Sequence, residues 1–268
     1  MPELPDLVVI AERLNKKMKG LSIERATILR PIVVRDPGAS FESSLKARTI
    51  LSVDRRGKHI LVSTDGELNL VFHMRFWGRF GLYQSSEKLL GSTVLRLPFS
   101  NGTELRYMGM KLMSRVYMVR GRDFSSIPGF RTPGPDADDL RLTEEDFLSR
   151  LKRQKGMLKS VLTNQGFVAG IGSAYADEIL FDARILPVRK KKSLSQQEAE
   201  RLFRSTRKVI RDAVKEIGRR IGDNIHEEIR DSLKVHGKGG EPCERCGNPI
   251  SELRPKRQLT NFCRGCQK

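Results

Sequence analysis

The sequence predicts a multidomain α+β protein: an N-terminal helix leads into a strand-rich half, followed by a helical half and a small cysteine-bearing tail. Three observations support this order. Between residues 21 and 119, eight short apolar runs alternate with turn signals, the pattern of a β-sandwich or barrel. After a Pro-, Gly- and Asp-rich stretch at 123–140, apolar residues switch to helical spacing. All four cysteines then fall beyond residue 242. The expected boundaries are 1–125 for the strand-rich domain, 126–140 for a linker, 141–234 for the helical domain and 235–268 for the tail. A chain of 268 residues, 38% of them hydrophobic, is long enough to bury a real core.

The opening helix is expected from Leu4 to about Met18. Pro5 suits its first turn, Asp6 its positive end, and Gly20 stops it. Val8, Ile10, Ala11, Leu14 and Met18 supply a buried face. Strands are expected at Ala26–Leu29, Thr49–Val53, His59–Val62, Leu68–Phe72, Gly81–Tyr83, Val94–Leu97, Glu104–Tyr107 and Val116–Met118. Asp65-Gly66 and Asn101-Gly102 are hairpin-turn pairs. Thr143, followed by three acids, caps a helix, and Ser195 with Glu198 forms a capping-box pattern at the start of a long one reaching Gly218. Further helices are expected at Met157–Asn164, Ser173–Ala183 and near Ile225–Leu233. The tail is too small for a core of its own.

The chain carries 50 Lys and Arg against 32 Asp and Glu, a formal charge of +18. The excess is uneven: residues 151–268 hold 26 basic and 14 acidic side chains, a net of +12. Self-repulsion of this size points to an anionic partner, nucleic acid first and a membrane surface second. No apolar stretch approaches the ~20 residues of a membrane span, and no secretory signal pattern opens the chain. A soluble, cytoplasmic protein is expected.

Cys243-x-x-Cys246 and Cys263-x-x-Cys266 give four thiolates at the spacing of two zinc knuckles. Disulfides are the alternative, and the absence of an export signal argues against them. Four sulfurs leave no open position for water, so one structural zinc ion is expected. At the other end, removal of Met1 before the small Pro2 would expose a secondary amine. An α-amine titrates near pH ~8, so part of it is unprotonated at neutral pH and able to form an iminium. Glu3 beside it could act as acid or base, although Met-Pro-Glu alone is also an ordinary helix start. Arg55-Arg56-Gly57-Lys58-His59 is a basic turn. Gly170-Ile171-Gly172-Ser173 leads into a helix and suits either a phosphate or a tight helix–helix connection.

Taken in order, Met1-Pro2-Glu3-Leu4-Pro5, Asp54-Arg55-Arg56-Gly57-Lys58, Ser100-Asn101-Gly102, Gly170-Ile171-Gly172-Ser173-Ala174-Tyr175-Ala176-Asp177-Glu178 and Gly240-Glu241-Pro242-Cys243 through Cys266 resemble the formamidopyrimidine-DNA glycosylase/endonuclease VIII family over essentially the whole chain. The resemblance implies an N-terminal β-sandwich, a helix–two-turn–helix domain and a C-terminal zinc finger, with DNA held between the halves. It implies removal of an oxidised base followed by cleavage of the abasic strand, in duplex DNA and by a monomer. By the same resemblance Pro2 attacks the sugar C1′, Glu3 protonates the opening sugar ring, and Lys58 contacts phosphate and assists elimination. Lys155 and Lys159 correspond to positions near DNA in the first helix of the helical domain. Gly172 and Ser173 correspond to the phosphate-binding turn, with Ser in place of the usual Asn.

The chain departs from the family pattern at the loops that fill the gap left by an everted base. Phe76 stands at the Met position, and Leu112 and Met113 stand at the Arg and Phe positions. Gln258 occupies the place of the finger's Arg, with Arg257 adjacent, which puts the second (δ) elimination in question. These changes favour formamidopyrimidines, oxidised pyrimidines or hydantoins over 8-oxoguanine. The expected activity is therefore a bifunctional glycosylase/lyase. The competing readings are a non-catalytic or lyase-only damage-binding protein, and an unrelated zinc-ribbon RNA-binding protein that would account for charge and cysteines but not for the N-terminus.

Overall fold

The computed structural model describes residues 1–35, 40–74, 78–109, 114–130, 133–255 and 258–268. They group into two compact units. The first comprises Met1–Pro2, Asp6–Arg131 and Ile217–Glu228; the second comprises Glu3–Pro5, Thr132–Glu216 and Ile229–Lys268. No helix among the described residues is long and apolar enough to cross a membrane.

The first unit holds most of helix α1 (Leu4–Met18) and eight strands: β1 (Thr27–Ile28), β2 (Ile50–Arg56), β3 (His59–Thr64), β4 (Leu68–His73), β5 (Arg79–Gln84), β6 (Thr93–Pro98), β7 (Thr103–Met108) and β8 (Arg115–Arg120). They form two four-stranded antiparallel sheets, ordered β1-β6-β7-β5 and β2-β3-β4-β8. Alternation directs one face of each sheet into a shared core. Leu95, Leu97, Leu105 and Tyr107 from one sheet meet Ile60, Val62, Leu70, Phe72 and Val116 from the other, with Leu7, Ile10, Leu14 and Met18 of α1 in the same cluster. Phe72, Phe80 and Tyr107 interlock with ring centroids 4.9–5.2 Å apart. Val8, expected on the buried face of α1, is only half-buried, and Leu7 occupies that face instead.

The glycines of the hairpins stand where the turns need φ > 0: Gly57 at 55°, Gly66 at 62° and Gly102 at 82°. Asn101 closes its turn by accepting from the Thr103 backbone and hydroxyl. Sequence reading missed α2 (Ser40–Leu45), a single amphipathic turn that buries Phe41 and Leu45.

The second unit is helical: α3 (Glu144–Lys152), α4 (Leu158–Thr163), α5 (Ser173–Asp182) and most of α6 (Gln196–Arg220). Thr143 and Asp146 form a reciprocal capping box on α3. Ser195 and Glu198 do the same for α6, where Arg189 adds two further bonds to the Glu198 carboxylate at 2.6 and 2.9 Å. The Arg189 guanidinium holds Glu198 down to a pKa of about 2. The tail contributes a small hairpin, β9 (Ser251–Leu253) with β10 (Thr260–Phe262). As expected it has no core of its own: Cys243, Ile250 and Cys263 pack on Phe181 of α5 and on Val235.

The helix expected near Ile225–Leu233 is not formed; turns occupy 221–233. Ile225 and Leu233 are both buried, but in different units. The following amides of Lys234, Val235 and His236 donate to the Glu178 carboxylate instead of to a preceding helical turn.

His59 opens β3, its ring against His73 (4.3 Å between centroids) and Phe130 (5.4 Å). Burial, then the neighbouring His73, drives its pKa down to about 3. His59 is thus neutral in the fold and takes up a proton only on unfolding below pH ~6.5. Its contribution to stability is complete above that pH and is lost as pH falls toward 3, by at most about 1.4 kcal/mol per pH unit. A His59→Phe variant should flatten the acid side of the stability profile, measured by urea unfolding at pH 7, 6 and 5. A slope equal to that of the parent would show that His59 does not carry this linkage.

Candidate active site and metal centre

Glu3 is a tightly constrained polar group of the second unit. Its buried carboxylate accepts from three backbone amides at the start of α5: Gly172 at 2.8 Å, Ala174 at 3.0 Å and Tyr175 at 3.2 Å. These are orphan donors of the helix N-terminus, where the macrodipole also favours an anion. Three of the roughly four lone-pair directions of a carboxylate are engaged this way. The neighbouring Leu4 amide donates to the Gly170 carbonyl at 3.0 Å. The turn itself is braced by Gln165, whose amide bonds to the Gly170 N–H and to the Thr163 and Ile171 carbonyls.

This docking needs both glycines. A Cβ on Gly172 would collide with Glu3 Cδ and Oε1, and one on Gly170, whose φ is +93°, with Leu4 Cδ1. Of the two residues read as a phosphate-binding turn, Gly172 gives its amide to Glu3 and Ser173 donates its hydroxyl to the Leu259 carbonyl at 2.9 Å.

Lys159 is likewise not a surface cation. Its ammonium is buried and bonds to Asp177 at 2.7 Å and to the Leu259 carbonyl at 2.5 Å. Burial lowers its pKa against the opposing pull of Asp177. Asp177 in turn meets the His236 ring at 2.7 Å and the Asn261 amide at 3.0 Å. Lys155 is exposed, in the loop after α3 rather than in the helix. Gln258 is half-buried beside Leu259, its amide donating to the Pro255 carbonyl.

In the first unit, Pro2 is buried. The α-ammonium of Met1 pairs with Glu228 at 3.1 Å, and Arg79 of β5 pairs with the same carboxylate at 2.7 Å. Lys58 is half-buried in the two-residue turn between β2 and β3. Phe76, Leu112, Met113 and Arg257 lie outside the described residues.

The four cysteine sulfurs lie within 4.8 Å of one another, and none forms a disulfide. Cys243 and Cys266 are 3.8 Å apart, and Cys246 and Cys263 are 3.4 Å apart. A tetrahedral metal with ~2.3 Å bonds to sulfur needs separations near 3.8 Å, so the quartet fits a thiolate-bound ion. An Asn248 backbone hydrogen bond, with the neighbouring thiols, lowers Cys246 to about 7.

The chain matches the formamidopyrimidine-DNA glycosylase N-terminal domain over residues 1–116 and the formamidopyrimidine-DNA glycosylase H2TH (helix–two-turn–helix) domain over 133–224. It belongs to the formamidopyrimidine-DNA glycosylase (Fpg) family. The Fpg of Heliobacterium modesticaldum is 34% identical over 279 residues, covering both chains fully. That of Desulforamulus reducens is 32% identical over 275 residues, covering all of this chain and 99% of the other. Among solved structures, Fpg from Thermus thermophilus superposes with a TM-score of 0.86 at 31% identity, covering 99% of this chain and 98% of that one. Lactococcus lactis Fpg in complex with abasic-site DNA gives 0.90 at 26% identity, covering 99% of each chain. The Fpg-type fold implied by the motifs is the fold observed: N-terminal β-sheets, a helical H2TH domain and a C-terminal cysteine cluster.

Sequence reading of this Fpg-family chain missed Asp177, His236, Arg79 and Glu228. One signal was available: Asp177-Glu178 interrupts the apolar run Ala174–Phe181, and an acidic pair inside a buried helix requires partners. Gly172→Ala should expel the Glu3 carboxylate, destabilising the protein by about 1–3 kcal/mol and speeding hydrogen exchange at the Ala174 and Tyr175 amides. Unchanged protection there would rule Glu3 out as their partner.

Proposed function

We propose that this Fpg-family chain is a DNA glycosylase and abasic-site lyase acting through the amine of Pro2. The observation that carries the reading is the Glu3 carboxylate, fixed by three amides one residue from Pro2. Removal of the exposed Met1 frees the Pro2 amine. The substrate is duplex DNA with an oxidised base or an abasic site, as in the solved Fpg complexes with abasic-site and formamidopyrimidine-containing DNA. A base within the stack cannot present its sugar carbon to a buried nitrogen, so the nucleotide is everted. Phe76, Leu112 and Met113 are proposed to fill the gap.

In the reaction, the Pro2 lone pair bonds to C1′ and the C1′–base bond breaks. The base leaves with its electron pair and takes up a proton from solvent, while the proton shed by nitrogen passes to the Glu3 carboxylate. The C1′–O4′ bond then opens as nitrogen forms the iminium, and Glu3 returns that proton to O4′. Lys58 neutralises a phosphate and assists elimination. Lys155, exposed, is a phosphate contact; Lys159 and Ser173 instead hold the finger hairpin. Gln258 lacks the charge and the bidentate grip of Arg, so the β-elimination product should accumulate over the β,δ-product. Cys243, Cys246, Cys263 and Cys266 hold one structural zinc ion, and the protein acts as a monomer.

Borohydride reduction on an abasic duplex tests this reading. The mature protein should form a covalent adduct through its N-terminal nitrogen, with Pro2→Gly reducing the yield at least about tenfold. No adduct, or equal trapping by Pro2→Gly, would exclude the mechanism. Elemental analysis should find one zinc per chain, lost in Cys263→Ser together with finger folding; metal-free protein with an intact finger would refute the zinc assignment.

A further inference from the structure

The mechanism above leaves one shielded acidic contact without a role: Glu228, which meets the N-terminal ammonium. We infer that Glu228 is the counter-ion of the Pro2 nitrogen, holding the amine in place and stabilising the cationic iminium. This rests on the Pro2 reading.

Three observations argue that the position is built. First, Glu228 ends a segment tied down along its length. The Gly218 carbonyl accepts from Arg13 of α1 at 2.9 Å, Asp223 pairs with Lys17 of α1 at 3.3 Å, and Ile225 is buried in the core of the first unit. Second, the carboxylate is largely shielded and is aimed by Arg79 at 2.7 Å, whose other nitrogen donates to the Gly78 carbonyl. Third, its oxygens stand 3.1 and 3.4 Å from the α-ammonium of Met1. Successive backbone nitrogens are no more than about 4 Å apart, so the carboxylate is within about 7 Å of the Pro2 nitrogen. Once Met1 is removed, Pro2 itself carries the N-terminal charge, and a shift of up to about 4 Å brings the carboxylate back to pairing distance.

The chemistry needs such a group. When the C1′–O4′ bond opens, the electron pair of nitrogen becomes the C=N bond and a full positive charge settles on nitrogen, with no N–H left to be solvated. Glu3 cannot fill this role alone, since its carboxylate is directed to the α5 amides. A second carboxylate, partly neutralised by Arg79, offsets the new charge without holding the amine fully protonated. The charged groups that face Glu228 include the N-terminal ammonium and Arg79; His226 and Glu227 of its own segment are exposed.

The test is the pH profile of single-turnover borohydride trapping on abasic duplex with Glu228→Gln, Glu228→Asp and, as a control at the exposed neighbouring position, Glu227→Gln. Loss of the anion destabilises both the ammonium and the iminium. In Glu228→Gln the acid limb should therefore move to lower pH, by roughly half a unit to one unit, while the plateau rate falls about tenfold. Glu228→Asp should restore part of both, and Glu227→Gln should follow the parent. A Glu228→Gln profile that superimposes on the parent, or a lower plateau with an unmoved limb, overturns the inference while leaving the Pro2 mechanism standing. Failure of the parent to trap through Pro2 removes both.

Discussion

The docking of residues 3 and 4 onto the turn before α5 is the constraint on which the rest of the site depends. One carboxylate satisfies three helix-terminal donors, and two glycines let it approach. Glutamine, of the same shape, would keep one acceptor oxygen but set an NH2 donor against the remaining amide or amides, at a cost of about 1–3 kcal/mol for each unmet group. The interaction therefore fixes the chain start far more tightly than an exposed terminus is usually held. It also gives the first amides of α5 an anion from within the chain.

The finger hairpin is held by a second buried polar network. Lys159 and Ser173 converge on the Leu259 carbonyl, and Asp177 links Lys159, His236 and Asn261. An isolated lysine at that depth would discharge; Asp177 opposes this. Pairs of this kind contribute little net stability, yet removing one partner is strongly destabilising. Their consequence here is geometric: Leu259, next to Gln258, is pinned to α4 and α5 by side chains of both helices.

What was legible in the sequence was what local chemistry determines. The strands follow from alternation and from Asp65-Gly66 and Asn101-Gly102, the caps from Thr143 and Ser195, and the cysteine quartet from two Cys-x-x-Cys pairs. Illegible were the roles set by contacts across the chain. Nothing local distinguishes a phosphate-binding Lys159 from one whose acceptor is 100 residues away, or a Gly172 amide awaiting phosphate from one held by a residue 169 positions earlier. Ile225, Ile229 and Leu233 carry the i, i+4 spacing of a helical face, but no helix forms: Ile225 packs in the core of the first unit, and the amides after Leu233 are taken by the Glu178 carboxylate. Glu228 was hidden for the same reason: its meaning depends on the N-terminus folding back beside β5.

The charge of +18 is distributed by the same internal demands. Arg106 is fully buried, paired with Glu104 and donating to the Glu87 and Lys88 carbonyls. Lys159, Arg189 and Arg245 are also tied to internal partners. Part of what remains exposed is drawn together by the fold. The Leu158 amide donates to the Arg189 carbonyl, the Lys191 amide to that of Gly156, and the Lys191 side chain to that of Lys152. These bonds bring the 152–155 and 190–192 segments together, although each alone resembles an ordinary solvated run. Lys152, Arg153, Lys155, Lys190 and Lys192 then share one exposed region of the second unit, and cations held within a Debye length of ~8 Å repel one another. Backbone hydrogen bonds hold that repulsion in the native state.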